Sequence, residues 1–229
     1  MTDLAKRLQA VHEQIVAAAR AADRDKDEIR LVAVSKTKPY SAIEEACALG
    51  QRDFGENYLQ EAIDKIRQAR EAGLDVRWHF IGAIQSNKTR EIAEHFDWVQ
   101  TIDRIKIARR LDEQRPAALA PLNVLIQVNV DAEPQKAGVM MDEITPLADF
   151  ISGCRNLRLR GLMAIPAASE DKGRQRGSAE ELDACMRQLN TDGYSMDTLS
   201  IGMTNDLDSA IAGGSTMLRI GTAIFGPRV

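Results

Sequence analysis

Cysteine is scarce in this sequence. The three present among 229 residues, Cys47, Cys154 and Cys185, are odd in number and none sits in a C-x-x-C pair. A disulfide framework and a thiolate zinc site are therefore both excluded as expectations, and a reducing cytoplasm is the expected location. Aromatic residues are also few, at 4% of the chain, so Ala, Leu, Ile, Val and Met must fill the core. No apolar run approaches the ~18 residues of a membrane-spanning helix. The N-terminus (Thr2, Asp3, Leu4, Ala5, Lys6, Arg7) lacks the apolar centre of a secretory signal. An excess of positive charge is missing too: 30 Lys and Arg stand against 34 Asp and Glu, a net charge of −4. Neither nucleic acid nor an anionic membrane is an expected partner.

What remains is the composition of a globular protein, 44% hydrophobic and 28% charged. No low-complexity tract or linker divides it, so residues 1–229 are expected to form a single domain. Short apolar runs alternate with stretches of helical spacing. Eight candidate strands lie at 31–34, around Phe54, and at 78–81, 98–102, 123–130, 157–165, 198–201 and 217–220. Leu59, Ala62, Ile63 and Ile66 follow the i, i+3, i+4, i+7 spacing of a helix, as do Leu182, Cys185, Met186 and Leu189. Further helices fit 42–49, 88–95, 105–111, 143–151 and 207–212, and Leu4, Leu8, Val11 and Ile15 mark a helix before the first strand. Asp206, and Ser178 with Glu181 three residues on, read as N-terminal caps. The pattern predicts an α/β fold, a (β/α)8 TIM-type barrel with an extra N-terminal helix. The competing doubly wound sheet needs a glycine-rich turn after strand one, where this chain has Ser35-Lys36-Thr37-Lys38-Pro39.

In such a barrel the chemistry lies at the C-terminal ends of the strands. Lys36 follows strand one by two positions. Partly desolvated, an amine there can attack a carbonyl to form a Schiff base; the alternative is a solvated loop lysine. Asn57, after strand two, is either a ligand contact or a helix cap. His79, within strand three, reads as a hydrogen-bonded structural residue. Gln127 and Asn129 end strand five, and Lys136-Ala137-Gly138 beyond them reads as a mobile loop. Strands seven and eight end in Gly202-Met203-Thr204-Asn205-Asp206 and Arg219-Ile220-Gly221-Thr222. Loops after these two strands often bind phosphate in barrels, glycine admitting the anion to backbone amides and threonine adding a donor. A lysine at one rim position and a phosphate cup in the other loops point to pyridoxal 5′-phosphate (PLP), which carries both an aldehyde and a phosphate. Arg219 then faces the pyridine nitrogen and keeps it unprotonated.

Several stretches together resemble the pyridoxal phosphate homeostasis protein family, also called the proline synthase co-transcribed homologue family. They are L-V-A-V-S-K-T-K-P (31–39), F-G-E-N-Y-L-Q-E (54–61), W-H-F-I-G (78–82), Q-S-N-K (85–88), L-R-G-L-M-A-I-P (159–166) and R-I-G-T-A-I-F-G (219–226). The resemblance implies a barrel similar to the N-terminal domain of alanine racemase, with PLP held as a Schiff base on Lys36. It implies that Thr204, Gly221 and Thr222, with the adjoining Met203, face the phosphate, Arg219 the pyridine nitrogen, and Asn57 the polar edge of the ring. The family pattern G-M-S-x-D departs here to Gly202-Met203-Thr204-Asn205-Asp206, which keeps the hydroxyl. Ala83 and Ile84 replace a frequent proline and leucine.

The function so implied is intracellular PLP (vitamin B6) homeostasis and carriage, with no committed reaction and PLP-requiring apo-enzymes as candidate recipients. The alternative is a PLP-dependent amino-acid racemase. That reaction needs a second base opposite Lys36, which racemases of this fold take from a further β domain, and none is expected here. The same consideration favours a monomer. Lys38 and Lys136 read as solvated charges rather than secondary PLP contacts.

Overall fold

The apolar runs form a closed parallel barrel because each strand is covered on both faces, by barrel interior on one side and helices on the other. The computed structural model describes residues 1–227. The strands are β1 (Arg30–Val34), β2 (Asp53–Glu56), β3 (Arg77–Phe80), β4 (Trp98–Ile102), β5 (Leu122–Val128), β6 (Leu157–Ala164), β7 (Thr198–Ser200) and β8 (Met217–Ile220). They pair in sequence order, and β8 returns to β1 with Arg30 opposite Met217 and Ala33 opposite Ile220. Between them run α2 (Tyr40–Ala48), α3 (Leu59–Glu71), α4 (Thr89–His95), α5 (Ile105–Gln114), α6 (Ile144–Ser152), α7 (Lys172–Thr191) and α8 (Leu207–Ala212). The short α9 (Thr222–Phe225) follows β8. The expected (β/α)8 architecture is present.

The extra helix, α1 (Asp3–Ala21), buries Leu4, Leu8, Val11 and Ile15 and lies against α8 and α9. Arg7 fastens it there by donating to the Ile224 carbonyl at 2.9 Å. No helix of the described residues is long and apolar enough to cross a membrane.

Two layers of core result. The larger fills the space between sheet and helices. The smaller lies inside the barrel, where Val32, Trp98, Leu125, Met163 and Met217 meet. Beside it the interior carries the buried polar side chains His79, Gln100, Ser200 and Arg219, which lead to the site described below.

Local signals misplaced some boundaries. Ser178 does not cap a helix: it lies inside α7, its hydroxyl donating back to the Arg174 carbonyl. The cap is Asp171, whose carboxylate accepts from the Gly173 and Arg174 amides at 2.8 and 3.3 Å. Asp206 does stand at the N-cap position of α8 and its carbonyl accepts from the Ala210 amide at 2.8 Å, but its carboxylate accepts from the Met203 amide at 2.6 Å rather than from that helix. Strand β5 ends at Val128 rather than 130 because the Asn129 side chain bonds the Glu133 backbone at both its amide and its carbonyl, turning the chain.

Gly202 is fixed by the fold. Its φ is +105°, and a Cβ there would lie 2.7 Å from both the Ala210 Cβ and the Leu218 Cδ2. Gly202→Ala is expected to cost roughly 2–4 kcal/mol in urea unfolding, from left-handed backbone strain plus overpacking. Gly177, inside α7 with open space around it, should behave oppositely, Gly177→Ala gaining about 0.5–1 kcal/mol.

Candidate functional site

All seven expected site residues lie at the C-terminal end of the barrel, and they come from four neighbouring strands: β7, β8, β1 and β2. The Arg219 amide donates to the Gly202 carbonyl at 3.0 Å, which sets the loops after β7 and β8 side by side. A Cβ on Gly221 would lie 3.2 Å from the Val34 carbonyl, so β8 ends against the start of the Lys36 turn. The Ser35 amide bonds the Gly55 carbonyl at 3.0 Å, joining that turn to the β2 loop that carries Asn57. Thr204 and Thr222 are exposed, Met203 is 41% exposed, Lys36, Asn57 and Gly221 are half-buried, and Arg219 is buried. Helix α9 opens directly on Gly221, and helical geometry leaves its first amides without intrahelical acceptors.

The Lys36 turn is clamped on both sides. Ser35 donates its hydroxyl to Glu56 at 2.7 Å and accepts on its carbonyl from the Lys65 ammonium at 2.8 Å. Lys65 also pairs with Glu56 at 2.8 Å and with Glu61. Glu61 in turn accepts from the Thr37 amide at 2.6 Å. Thr37 has φ +64°, an unusual backbone for a β-branched residue, held by that bond. Burial pushes the Glu56 carboxyl up, against the opposing pull of Lys65.

Arg219 projects inward above Met217. It donates to the Ser200 hydroxyl at 2.6 Å and to the Ala164 carbonyl at 2.8 Å, level with the last residues of β7 and β6. Among the described residues no carboxylate pairs with it. Burial pulls its guanidinium down to about 10, with the Asp206 charge acting against this. Ser200 donates onward to Gln100 at 2.7 Å, Gln100 lies 3.0 Å from His79 Nδ1, and His79 Nε2 lies 2.9 Å from Asp53. His79 is wholly buried and stacked on Trp98, and burial lowers its pKa. It is the structural histidine expected. Burial disfavours the charged form of Asp53, yet hydrogen bonds from Arg77 and His79 outweigh it and hold this carboxyl well below the usual range.

Asn57 is not a cap. Tyr58 holds the N-cap position of α3, while Asn57 Oδ1 is buried without a hydrogen-bond partner among the described residues. A Cβ on Gly82 would strike the Asn57 carbonyl at 2.4 Å, so glycine is required where the β2 and β3 loops cross. Lys38 bonds the Pro227 carbonyl at 2.7 Å. Lys136 pairs with Asp131 at 2.8 Å and Glu133 at 3.1 Å, and the Gln127 side chain reaches the Ala137 carbonyl, so the loop expected to be mobile is tied back to β5.

Residues 7–229 match the family described as "Alanine racemase, N-terminal domain". The chain is 54% identical over 229 residues to the pyridoxal phosphate homeostasis protein of Escherichia coli K12, covering 100% of this chain and 98% of that one. The chain belongs to the pyridoxal phosphate homeostasis protein family. Among solved structures it is similar to PipY of Synechococcus elongatus with PLP bound, at 32% identity and a TM-score of 0.85 over 98% of this chain and 100% of that one. The barrel of Corynebacterium glutamicum alanine racemase shares the fold at 16% identity and a TM-score of 0.67, over 95% of this chain and 61% of the racemase.

In this member of the pyridoxal phosphate homeostasis protein family, the residues behind the rim, Lys65, Gln100 and Ser200, were not among those expected from the sequence. Lys65 carried a visible signal: it shares the buried stripe of α3 with Ala62, Ile66 and Ala69, where a lone lysine needs a buried partner. Gln100 and Ser200 were polar residues inside apolar strands.

Because the folded pKa of Asp53 is depressed, its stabilising effect is complete above the ordinary carboxylate value of about 4 and fades as pH falls below it. Asp53→Asn should therefore lower unfolding free energy by about 1.5–3 kcal/mol near pH 7. The gap between the two proteins should narrow toward pH 3 in urea titrations.

Proposed function

We propose that the barrel mouth binds pyridoxal 5′-phosphate, held through Lys36 as a Schiff base, and that the protein serves PLP homeostasis and carriage rather than a committed reaction. The observation that carries this reading is Arg219. A guanidinium has five N–H donors, and here two meet neutral acceptors while, among the described residues, no carboxylate pairs with the buried charge. A buried cation at the floor of a mouth, with donors to spare, fits an acceptor such as an unprotonated pyridine nitrogen.

The other residues fit the same ligand. Asn57 Oδ1 is a buried acceptor in want of a donor. Lys36, in the turn after the adjoining strand β1, is the amine for the aldehyde. Thr204, Gly221 and Thr222, with the first amides of α9 and the neighbouring Met203, form a cup for the phosphate. PLP supplies the aldehyde and electron-withdrawing ring; the protein binds and orients it. The names of the relatives, pyridoxal phosphate homeostasis proteins, and the PLP-bound PipY structure support this assignment.

Against a racemase stands the want of a second base. Tyr194 bonds Asp149 and precedes β7, at the opposite end of the barrel from Lys36. Tyr40 bonds the Gln68 carbonyl at 3.3 Å, and Tyr58 is 52% exposed. None of the three is tied into the residues that line the mouth. A barrel displaying PLP at an exposed rim suits release to a recipient, with PLP-requiring apo-enzymes as the partner class.

The test is absorbance and borohydride reduction of the protein with PLP, beside Lys36→Ala. The wild type should show the Schiff-base band and carry reduced PLP on the peptide containing Lys36, and the variant neither. An unaltered band in Lys36→Ala would overturn the assignment. The loaded wild type should leave L-alanine unracemised; turnover that disappears in Lys36→Ala would replace the carrier with the enzyme.

Thr204 and Thr222 test the phosphate cup separately. Each hydrogen bond to a charged group contributes about 1.5–3 kcal/mol. The double alanine variant should accordingly lose PLP on dialysis at least tenfold more readily; equal retention would remove both residues from the cup.

A further inference from the structure

Inside the barrel, beneath the mouth, five side chains from five strands form one continuous hydrogen-bonded row: Asp53, His79, Gln100, Ser200 and Arg219. The direction of every bond in it follows from one end. Asp53 is a carboxylate paired with Arg77 at 2.7 Å, so it accepts only. His79 Nε2 must then carry the proton and donate to it, which leaves Nδ1 bare as an acceptor. The side-chain amide of Gln100 must turn its NH2 to that nitrogen, and the same group lies 3.2 Å from the Met217 sulfur. Its oxygen therefore faces Ser200 and takes the hydroxyl proton. With its only proton committed, Ser200 meets Arg219 purely as an acceptor. The Ala164 carbonyl takes a second guanidinium N–H, so two anchors on two strands hold the group in one plane.

We propose that Gln100 and Ser200 are positioning residues, which hold the Arg219 guanidinium so that its remaining N–H groups face the ring nitrogen of the ligand and make the site demand an acceptor there. The inference rests on the reading that the mouth takes PLP with its ring nitrogen at Arg219. Neither residue touches the ligand; both act through Arg219. Gln100, Ser200 and Arg219 are all buried, so water does not replace a lost anchor freely.

The experiment compares PLP with 1-deazapyridoxal 5′-phosphate, in which carbon replaces the ring nitrogen and aldehyde and phosphate are unchanged. Affinities for both are measured for wild type, Ser200→Ala and Gln100→Met, with urea unfolding and borohydride capture at Lys36 run beside them. Two variants are used so that a failure of one to fold leaves the other. The wild type should prefer PLP by about tenfold, equivalent to about 1.4 kcal/mol. In the variants that preference should fall toward one, with capture at Lys36 retained and the absorbance maximum of bound PLP displaced. Ser200→Thr, which keeps the hydroxyl, should restore the preference.

A merely structural role would weaken both ligands equally and leave their ratio at the wild-type value; that result overturns the proposal and leaves PLP binding standing. Equal affinity of the wild type for the two ligands also overturns it, because Arg219 would then not face the ring nitrogen. Failure of the wild type to capture PLP at Lys36 would remove the underlying reading, and the proposal with it.

Discussion

The pairing of β8 with β1 is the contact on which the site depends. In an open eight-stranded sheet these two strands would be the edges, separated by seven spacings of about 4.8 Å, or roughly 34 Å. The Lys36 turn and the loop at Gly221 would then be too far apart to hold one small molecule. Closure makes them neighbours, with Ala33 opposite Ile220 and Gly221 packed on the Val34 carbonyl. Strand β7 joins on one side and β2 on the other, so one arc of the rim brings together an amine, a guanidinium, an unpartnered amide oxygen and two threonine–glycine loops. The opposite arc is occupied differently. There Asp131 binds both Lys136 and the Ala167 amide at 2.6 Å, drawing the loops after β5 and β6 against each other.

Under this rim the barrel interior is part apolar and part polar. Trp98 anchors the apolar part, with Arg30 and Arg160 lying over the indole at 5.3 and 4.8 Å. Buried polar groups beside it are a costly arrangement unless each is bonded. The row from Asp53, at the start of β2, to Arg219 meets that condition, its Gln100–Ser200 bond crossing the barrel from β4 to β7. The Lys36 turn holds one strained residue, Thr37, whose left-handed backbone is fixed by Glu61. A bonded floor and a clamped turn together fix the backbone that carries Lys36.

Much of this was legible in the sequence, and the reasons differ by residue. Strands buried on both faces leave apolar runs, so their number and order could be read directly, and from them the barrel. That Lys36, Arg219 and the two glycine–threonine loops gather at one end of the barrel was legible because those residues follow or end strands, a rule that needs only the strand count. The misread cap at Ser178 came from a four-residue pattern that the longer helix overrode, its start at Asp171 being hidden by Gly173 and Gly177. Asn57 could be read as a cap or as a ligand contact because it precedes a helix, and only the fold shows its side-chain oxygen buried without a donor among the described residues. The clamp by Lys65 and the chain through Gln100 and Ser200 join residues between 4 and 100 positions apart. A lysine on the buried stripe of α3, or a polar residue within an apolar strand, shows that a partner is needed but not which residue supplies it.

The closing strand also has a consequence for how the protein is made. Five of the seven rim residues, Met203, Thr204, Arg219, Gly221 and Thr222, follow β7 in the chain, while Lys36 and Asn57 belong to its first quarter. On the ribosome, Lys36 emerges long before its neighbours on β8 exist, and for that interval β1 is an uncapped sheet edge bearing a bare amine. A ligand that needs the whole arc finds no home on the nascent chain. Occupancy of the mouth thus reports completion of the barrel, which makes ligand capture an event that follows synthesis rather than one that guides it.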